Sequence, residues 1–553
     1  MTMDSRLDSA APLTLGLALI ALMVAPVLGD WTTSALGLGC DTAPTDMWSL
    51  WSWSTPSGGS THMGFPGPVT SASLSSPSAL ALFAVLMTAL GPVASWNTAV
   101  LLSMLVLLVG TIDLSRRILP NASSIARCTL VISVVGTAAW SPLMRHVGVS
   151  VLPMTALPLA LSLLDRWIQP DAPRRWGVCA ALAVTVAMLG HWATTVFAMA
   201  IMIPMVVIQC RSLEGRQVWR RASAALLPGV ILGVIHIGTQ AEAGAGLEVN
   251  AALIGPAWIS QMEGALALPA TAAAALPGLG ILLLALAGVA ARPLQTAGWL
   301  LVSAWGILLA AGLSPDGLDT WSPAHQLSDR IPHLSHLGSW WAIAPLVALP
   351  MGLSAMVGVD ILHRVRRDRL AMGVLVMAVV DQGLPAFTTT TPQSFVHKPP
   401  MGVMTALSNL APGAVLQLPV HGANQCQTAS MHRLWQRVHD RPVSTAKPDG
   451  EDGVMSLSYI ARLAQDDTML SRPASKDSPI DPDTYRCAQA DLKQLVDLGF
   501  AAVLLDHQAD APEQLGPTLT MLLGSPHYTD DHATVWPLTA PQEPPDPCPL
   551  PGT

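Results

Sequence analysis

Long apolar runs alternate with short basic segments over the first 384 residues of the chain. The first run, Ala11–Gly29, holds 19 residues without a charge, enough for a helix to cross the hydrocarbon core of a bilayer. A polar loop follows, residues 30–94, and the chain contains neither Lys nor Arg between Arg6 and Arg116. Because cytoplasmic loops collect Lys and Arg, the sequence predicts an external loop and a cytoplasmic N-terminus.

The basic segments set the expected number of spans. If all of them are cytoplasmic, the apolar runs between them must cross the membrane in pairs. This predicts about eleven spans and an external C-terminus. The basic segments contain Arg116–Arg117, Arg174–Arg175, Arg211–Arg221, Arg292 and His363–Arg369. The predicted spans are Ala11–Gly29, Ser95–Leu114, Ala122–Pro142, Val147–Leu164, Trp176–Gly190, Ala193–Gln209, Ala222–Thr239, Leu276–Ala291, Thr296–Leu313, Trp340–Leu362 and Leu370–Leu384.

Three apolar runs have a second interpretation. Ala11–Gly29 could be a cleaved signal peptide, but its flank has one Arg against two Asp and no clear small-x-small cleavage site, which favours a retained anchor. Residues 176–209 could form one long helix instead of two, which would reverse the topology after them. Pro77–Leu90 has only 14 residues and is predicted to lie flat on the outer surface, because short apolar runs are more often interfacial than spanning.

The chain changes character after Leu384. Pro385–Thr553 contains ten of the 28 Lys and Arg residues and no apolar run of spanning length. Its alternating strand and helix patterns predict a soluble extracytoplasmic α/β domain, with a mobile loop at 447–483 and a disordered tail at 541–553. The predicted strands are Ala414–Val420, Ala501–Asp506 and Ala533–Leu538, and the predicted helices are Ser430–His439, Asp491–Leu498 (closed by Gly499) and Pro512–Leu523.

Composition agrees with a membrane protein. Only 12% of the residues are charged and the mean hydropathy is +0.47, whereas soluble domains carry about 25% charged residues. The net charge of −8 and the position of the basic residues at helix ends argue against nucleic acid as a partner. The seven cysteines form no zinc-binding pattern. External cysteines are expected to be oxidised, with Cys426–Cys487 as the predicted pair.

The first external loop contains the candidate catalytic residues. A carboxylate held at the membrane surface can act as a general base or coordinate a divalent cation, and Asp41 and Asp46 are placed to do so. The alternative is a solvated acid or the N-cap of an interfacial helix. Trp48 and Trp51 can stack on a sugar, or they can belong to the interfacial aromatic belt. His62 is a further candidate for substrate binding.

Two other groups in the predicted external segments are candidates for binding a metal or a phosphate. His333 and His336 are three residues apart, which would place both on one helix face and could build a metal site, although a two-His pattern without a nearby acid is more often structural. Arg330 lies between two predicted spans, and its planar guanidinium suits a phosphate. Its alternative is an exposed charge or a partner of Asp329.

The order of short motifs along nearly the whole chain resembles the GT-C superfamily of integral-membrane glycosyltransferases, in particular its poorly characterised bacterial branch. In the first loop, Asp41 precedes Trp48 and Trp51. The later motifs are Met63-Gly-Phe-Pro-Gly-Pro68, Leu90-Gly-Pro92, Ser95-Trp-Asn97, Ile331-Pro-His-Leu-Ser-His-Leu-Gly-Ser-Trp-Trp341, Val415-Leu-Gln-Leu-Pro419, Leu498-Gly-Phe-Ala-Ala-Val-Leu-Leu505 and Tyr528-Thr-Asp-Asp531.

The resemblance implies a catalytic acid in the first external loop, which maps to Asp41, with Asp46 second and Asp30 third. It also implies a polyprenyl-phosphate sugar donor and an acceptor at the outer face, with Arg330 as a phosphate contact. The adjacent acidic pair common in this family is absent from the loop.

The sequence therefore predicts a mostly α, polytopic transmembrane bundle (1–384) with a C-terminal extracytoplasmic α/β domain (385–553), in a bacterial inner membrane. The predicted activity is transfer of a sugar from polyprenyl phosphate to an unidentified acceptor. The alternative is a non-catalytic transporter, flippase or scaffold for surface polysaccharide. A transporter is expected to show internal repeats with broken helices, and the sequence has no convincing repeat.

Overall fold

The computed structural model is mostly helical and divides into two compact units, Met1–Leu38 with Ala72–Phe395 and Gly39–Ser71 with Val396–Thr553. The residues it describes are 3–36, 47, 50–51, 62–63, 69–70, 76–140, 153–190, 192–211, 215–241, 278–310, 344–388, 394–396, 399–419, 435–444, 458–464, 482–507 and 514–540.

The first unit is a helix bundle. Its helices are α1 (Met3–Val24, continued by a 3-10 turn Ala25–Val27), α2 (Pro77–Leu90), α3 (Pro92–Ile118), α4 (Ser124–Val131), a π-helix (Ile132–Gly136), α5 (Thr137–Trp140), α6 (Leu157–Ile168), α7 (Arg174–Met188), α8 (Trp192–Arg211), α9 (Arg216–Ala241), α10 (Leu279–Ala291), α11 (Pro293–Ala310), α12 (Ala344–Arg364) and α13 (Asp368–Thr388). Two short strands, β1 (Ser34–Leu36) and β4 (Ser394–Val396), pair with each other.

Every predicted span overlaps one of these helices. Within the described part of the chain, three stretches are long and apolar enough to cross a membrane by length and composition: Ala10–Val27, Pro92–Ile118 and Arg216–Gly238. The predicted break inside residues 176–209 is present, since α7 ends at Met188 and α8 begins at Trp192. The count of eleven spans stays a prediction.

Side chains tie several helices together at one end of the bundle, at the positions where the basic segments lie. Arg117 at the end of α3 pairs with Asp165 at the end of α6, with NH1 and Oδ2 3.3 Å apart. Arg166 of α6 lies over the ring of Trp176, in the first turn of α7, at 4.6 Å from the centroid. The cationic ends of α3, α6 and α7 therefore lie together, and we call this the basic end.

Two further contacts extend the basic end. Arg221, near the start of α9, donates to the carbonyls of Trp167 (3.3 Å) and Pro170 (2.9 Å) at the end of α6. The backbone N–H of Ser123, before α4, donates to Oδ1 of Asp360 near the end of α12 at 3.4 Å. The basic residues are thus gathered on one side of the bundle, as a single cytoplasmic face requires.

Helix α2 lies across the other end of the bundle. At its start, Ser76 and Ser78 donate their hydroxyls to the carbonyl of Leu189, just after α7, at 3.3 and 2.6 Å. At its end, Gly91 leads directly into α3. Because α7 begins at the basic end and α3 finishes there, both ends of α2 lie opposite the basic end. This agrees with the prediction that Pro77–Leu90 does not span.

Small residues let α10 and α12 pack at close range. A Cβ added at Gly288 would overlap the carbonyl oxygen of Ser354, and one added at Gly358 would overlap that of Leu284. Ser354 and Gly358 are four residues apart and so lie on one helix face, a small-xxx-small arrangement typical of membrane helix pairs.

We expect Gly358→Ala to lower the thermal stability of the detergent-solubilised protein, because overpacking a close contact costs about 1–3 kcal/mol. Gly373→Ala in α13 is the matched control, since a Cβ there would meet nothing within 4 Å. It should leave stability unchanged or raise it slightly. Equal melting temperatures for the two variants would contradict the packing argument.

The second unit contains a four-stranded sheet. Its elements are β2 (His62–Met63), β3 (Val69–Thr70), α14 (Met401–Asn409), β5 (Ala414–Leu418), α15 (Tyr459–Leu463), α16 (Pro482–Leu498), β6 (Phe500–Asp506), α17 (Leu515–Leu523), β7 (Tyr528–Thr529) and β8 (Ala533–Pro537). The sheet order is β5-β6-β8-β7, with β5 parallel to β6 and the other pairs antiparallel.

Both faces of this sheet are covered. Leu416 and Val503 join a core with α15, α16 and α17 on one face, whereas Val415 and Leu504 pack with α14 on the other. The strands are therefore buried on both sides, as their near-continuous apolar sequences indicate. Gly499 ends α16 with a φ of 101°, the left-handed conformation that its predicted capping role requires.

The four described cysteines differ between the two units. Cys487 in α16 is disulfide-bonded, whereas Cys128, Cys179 and Cys210 in the helix bundle are free. Cys426, the predicted partner of Cys487, lies outside the described residues, so the pairing stays a prediction. The predicted mobile loop at 447–483 and disordered tail at 541–553 also fall mainly or wholly outside them.

A buried carboxylate joins α15 to α16. Asp491 Oδ2 accepts hydrogen bonds from Ser458 Oγ and from the backbone N–H of Ile460, both at 2.8 Å. Burial raises the pKa of Asp491, and hydrogen bonds from Ile460, Ser458 and Tyr459 offset part of that effect. The pKa of Asp491 is therefore higher in the folded state than in the unfolded state. Protonation of Asp491 stabilises the folded state, and this contribution to the free energy of unfolding is fully present below the unfolded-state pKa. It is lost as the pH rises through the folded-state pKa.

We expect Asp491→Ala to release α15, with a loss of about 1–3 kcal/mol because buried donors lose their acceptor. Asp491→Asn keeps an uncharged acceptor, so its stability relative to the wild type should improve as the pH rises from about 4 to about 7. Hydrogen exchange of residues 458–464 in the full chain measures both effects. The control is Asp497→Ala, at an exposed position of the same helix. If it accelerates exchange as much as Asp491→Ala, the assigned role is wrong.

Candidate functional site

Most of the predicted site residues lie outside the residues that the structure describes. Asp41, Asp46, Trp48 and Arg330 lie outside the described residues, as do His333 and His336. Trp51 is described and is half-buried, and His62 is described as part of a strand. The roles of these residues therefore stay predictions. The structure does describe the chain on both sides of the segment that contains Asp41 and Asp46, which we call the acidic segment.

The segment before Asp41 begins with a tight turn at the end of α1. The backbone carbonyl of Asp30 accepts from the N–H groups of Thr33 (3.0 Å) and Ser34 (2.7 Å). This turn redirects the chain from the helix into β1, which pairs with β4. Asp30 itself is exposed.

Asn97, in the second turn of α3, holds this segment against the bundle. Its Oδ1 accepts from the N–H of Leu36 at 2.8 Å, and its Nδ2 donates to the carbonyls of Trp31 (3.0 Å) and Ser34 (2.8 Å). The Asn97 side chain is fully buried. One amide thus binds three backbone groups of residues 31–36, which would otherwise be partly buried without partners.

Trp96 completes this contact, which we call the Trp-Asn clamp (Trp96 and Asn97 on residues 31–36). Its indole N–H donates to the carbonyl of Leu36 at 2.8 Å, and its ring is fully buried. Leu36 therefore has both its N–H and its carbonyl bound by α3. Such hydrogen bonds contribute about 1 kcal/mol each on balance. The clamp fixes the chain five residues before Asp41.

On the other side of the acidic segment, the loop is anchored by apolar side chains. Met47 and Leu50 are helical and buried, with 0% and 4% of their surface exposed. Their spacing of three residues places both on one side of a helical turn. Further along, β2 and β3 pair antiparallel, with His62 opposite Thr70. These elements belong to the second unit, together with residues 396–553.

The Trp-Asn clamp was not predicted as a functional feature. Ser95-Trp-Asn97 contributed only to the family resemblance. The sequence feature that could have revealed the clamp is Asn97, an amide residue near the start of a long apolar run. In a membrane helix such a polar side chain normally faces protein and carries a specific role.

A divalent cation has no assigned ligands in the described part of the chain. No group of three or more His, Cys, Asp or Glu residues there is arranged to hold a metal ion. The two acids that the sequence nominates, Asp41 and Asp46, are not among the described residues. The cation therefore stays a prediction, and no chemical step is assigned to it.

The fold has clear relatives among solved structures. The cryo-EM structure of the arabinofuranosyltransferase AftD from Mycobacteria matches with a TM-score of 0.56 and 16% identity, over 97% of this chain and 41% of that one. An oligosaccharyltransferase from Archaeoglobus fulgidus matches with a TM-score of 0.44 and 10% identity, over 90% of this chain and 69% of that one. ArnT from Cupriavidus metallidurans, solved with undecaprenyl phosphate, matches with a TM-score of 0.44 and 11% identity, over 96% and 97%.

No family model and no curated protein matches the sequence. The likeness to AftD shows the fold, and it confirms the predicted GT-C-like fold. The apolar helices support the prediction of an integral membrane protein. The chain spans about two fifths of the length of AftD.

Proposed function

We propose that the chain is a glycosyltransferase that moves a sugar from a polyprenyl-phosphate donor to an acceptor at the outer face of a bacterial inner membrane. The observation that carries this proposal is the Trp-Asn clamp. It lies in a GT-C-like fold whose AftD relative is an arabinofuranosyltransferase, and it fixes the backbone directly before the acidic segment. Leu36, which the clamp holds, is five residues before Asp41 in the chain.

The orientation of the chain is part of the proposal. The basic end gathers arginines from α3, α6, α7 and α9, which favours a cytoplasmic position. The clamp and α2 then lie at the external end. The disulfide at Cys487 supports an extracytoplasmic second unit, because disulfides persist in oxidising compartments.

In the proposed reaction, the carboxylate of Asp41 accepts the proton of the acceptor's hydroxyl or amide group. The acceptor atom forms a bond to the anomeric carbon as the bond from that carbon to the phosphate oxygen breaks. The electron pair leaves with polyprenyl phosphate, and Asp41 keeps the proton until solvent removes it. Asp46 is the second choice for this base, which must reach the proton within about 2.6–3.2 Å or through one water.

The remaining candidates bind the donor and the acceptor. The Arg330 guanidinium would hold the lipid phosphate through two parallel N–H donors. Trp48 and Trp51 would stack on the sugar, and His62 would donate to or accept from its hydroxyls. The described residues of the first loop between positions 47 and 70 belong to the same unit as the C-terminal sheet. This unit is therefore proposed to recognise the acceptor.

The proposal is tested with membranes that contain the overproduced chain. Polyprenyl-phosphate donors with different radiolabelled sugars are supplied, and transfer of label to a water-soluble or lipid-linked product is followed together with release of polyprenyl phosphate. We expect both for at least one donor, and only when the chain is present. A chain that moves the donor across proteoliposomes without breaking its glycosidic bond would instead support a flippase.

A further inference from the structure

A groove of about 380 Å³ lies between α1, α3 and α6, at the basic end of the bundle. Its walls are mainly apolar: Leu13, Val109, Ile112, Leu159 and Leu163. Three charged residues complete it: Asp113, Arg116 and Arg166. The volume is within the range of small-molecule sites. The groove is at the opposite end of α3 from the Trp-Asn clamp, so it is separate from the proposed transferase site.

Two glycines bring the walls of the groove together. A Cβ at Gly110 would lie 2.5 Å from the backbone nitrogen of Leu159 in α6. A Cβ at Gly16 would overlap the side chain of Leu108 in α3. Helices α1 and α6 therefore both approach α3 closely at this level. Gly110 is six residues before Arg116, or about 9 Å along the helix, so the arginine lies beyond the close contacts.

The groove faces the lipid. The side chains of Val109 and Leu13 are 55% and 43% exposed, although both belong to helices long and apolar enough to span a membrane. Exposed apolar groups on such helices contact acyl chains. An acyl chain can therefore lie along these walls without leaving the bilayer.

The charges at its basic end leave one cation uncompensated. Asp113 accepts hydrogen bonds from Ser162 and Arg166, and Arg117 approaches it at 3.7 Å while pairing with Asp165. Among the described residues, this end of the groove therefore has three arginines (116, 117 and 166) but only two aspartates, Asp113 and Asp165. Arg116 is exposed and takes part in no ion pair or hydrogen bond with the described residues. Asp113 is already neutralised, so it does not prevent an anion from approaching Arg116.

Arg166 contributes a second cation to the groove. It donates from one terminal nitrogen to Asp113, and 26% of its side chain is exposed. A guanidinium carries five N–H donors, so the hydrogen bond to Asp113 leaves donors for an anionic oxygen in the groove that Arg166 lines.

Aromatic side chains mark the depth of this end. Trp176 lies under Arg166, and Trp167 lies under Arg221 with its centroid 4.9 Å from the guanidinium carbon. Tryptophans concentrate at headgroup level in membrane proteins. The arginines of the groove therefore lie where lipid phosphates lie.

We propose that this groove binds an anionic phospholipid of the surrounding membrane. The phosphate lies against Arg116 and Arg166, and one acyl chain follows Val109, Ile112 and Leu13 along α3 and α1. Charge selects the headgroup, because basic pockets between membrane helices attract anionic lipids. The apolar walls select a lipid over free phosphate.

The test is native mass spectrometry of the full chain in detergent, titrated with phosphatidylglycerol or phosphatidylcholine of the same acyl chains. We expect the wild type to retain phosphatidylglycerol preferentially. Arg116→Gln should weaken that retention about fivefold, the effect of one basic residue near the lipid surface. Val109→Trp should abolish it by filling the groove while every charge remains.

The matched control is Arg174→Gln, because Arg174 is an exposed arginine at the same end of the bundle and does not line the groove. It should leave retention unchanged. Equal losses in Arg116→Gln and Arg174→Gln would show general surface attraction and overturn the proposal. So would unchanged binding in Val109→Trp, or equal retention of the two lipids by the wild type.

Discussion

Asp41→Asn is expected to abolish sugar transfer while leaving the fold and donor binding nearly intact. The amide has the size of the carboxylate but is barely basic, so it cannot take the acceptor's proton. General-base catalysis contributes about 10²–10⁴ to rate, and we expect kcat to fall by at least about 100-fold. The measurement is label transfer in membranes with equal amounts of each variant, alongside binding of a radiolabelled polyprenyl-phosphate donor.

Asp46→Asn and Asp30→Asn are the comparison variants within the same loop, because these acids are the second and third candidates for the base. Each also removes one negative charge, so a loss of transfer in Asp41→Asn alone cannot come from the change of charge. If Asp46→Asn loses transfer while Asp41→Asn keeps it, the base has been assigned to the wrong acid. Full activity in all three variants would rule out a loop carboxylate as the base and would favour the non-catalytic interpretation.

The positions of most helices could be predicted from the sequence. The length of each apolar run and the Pro, Gly or Arg residues at its ends determine where a helix begins and ends. Helix α2 coincides with the predicted run Pro77–Leu90, since Pro77 can begin a helix and Gly91 can end one. The break between α7 and α8 also follows local sequence. In the second unit, β5 and β6 were predicted from short apolar runs, and Gly499 from its capping pattern. Each of these features needs only neighbouring residues.

The Trp-Asn clamp could not be predicted in this way. Asn97 and Leu36 are 61 residues apart, and the hydrogen bonds join a side chain to backbone groups, which any sequence offers. The groove between α1, α3 and α6 could not be predicted for the same reason. Asp113 and Arg166 are brought together by the packing of α3 on α6 at Gly110, and nothing in the sequence near either residue specifies that contact. Such features depend on tertiary structure.

The grouping of residues 39–71 of the first loop with the C-terminal sheet is a third feature of this kind. The sequence places residues 30–94 after the first span, in the membrane half. The structure assigns residues 39–71 to the unit that holds 396–553. Met47 and Leu50 look like ordinary members of a polar loop in the sequence, but both are buried. Burial of short apolar motifs is decided by distant partners, which hydropathy along the chain does not report.

Asn97→Leu is expected to lower transfer by about 100-fold without unfolding the bundle. Leucine has a similar size, but it cannot bind the backbone groups of Trp31, Ser34 and Leu36. Losing three hydrogen bonds at about 1 kcal/mol each corresponds to a decrease in rate of about 100-fold. Because the clamp acts by positioning, kcat should fall more than donor affinity, and hydrogen exchange at residues 31–36 should accelerate.

Trp96→Phe should produce a smaller effect in the same direction, of about 5- to 10-fold, since it removes only the indole N–H bond to Leu36. Thr111→Val is the matched control, because its hydroxyl bonds only to Leu107 within α3, about 21 Å along the helix from Asn97. Its activity and exchange should equal those of the wild type. The clamp has no catalytic consequence if Asn97→Leu releases residues 31–36 in exchange and still transfers sugar at the wild-type rate.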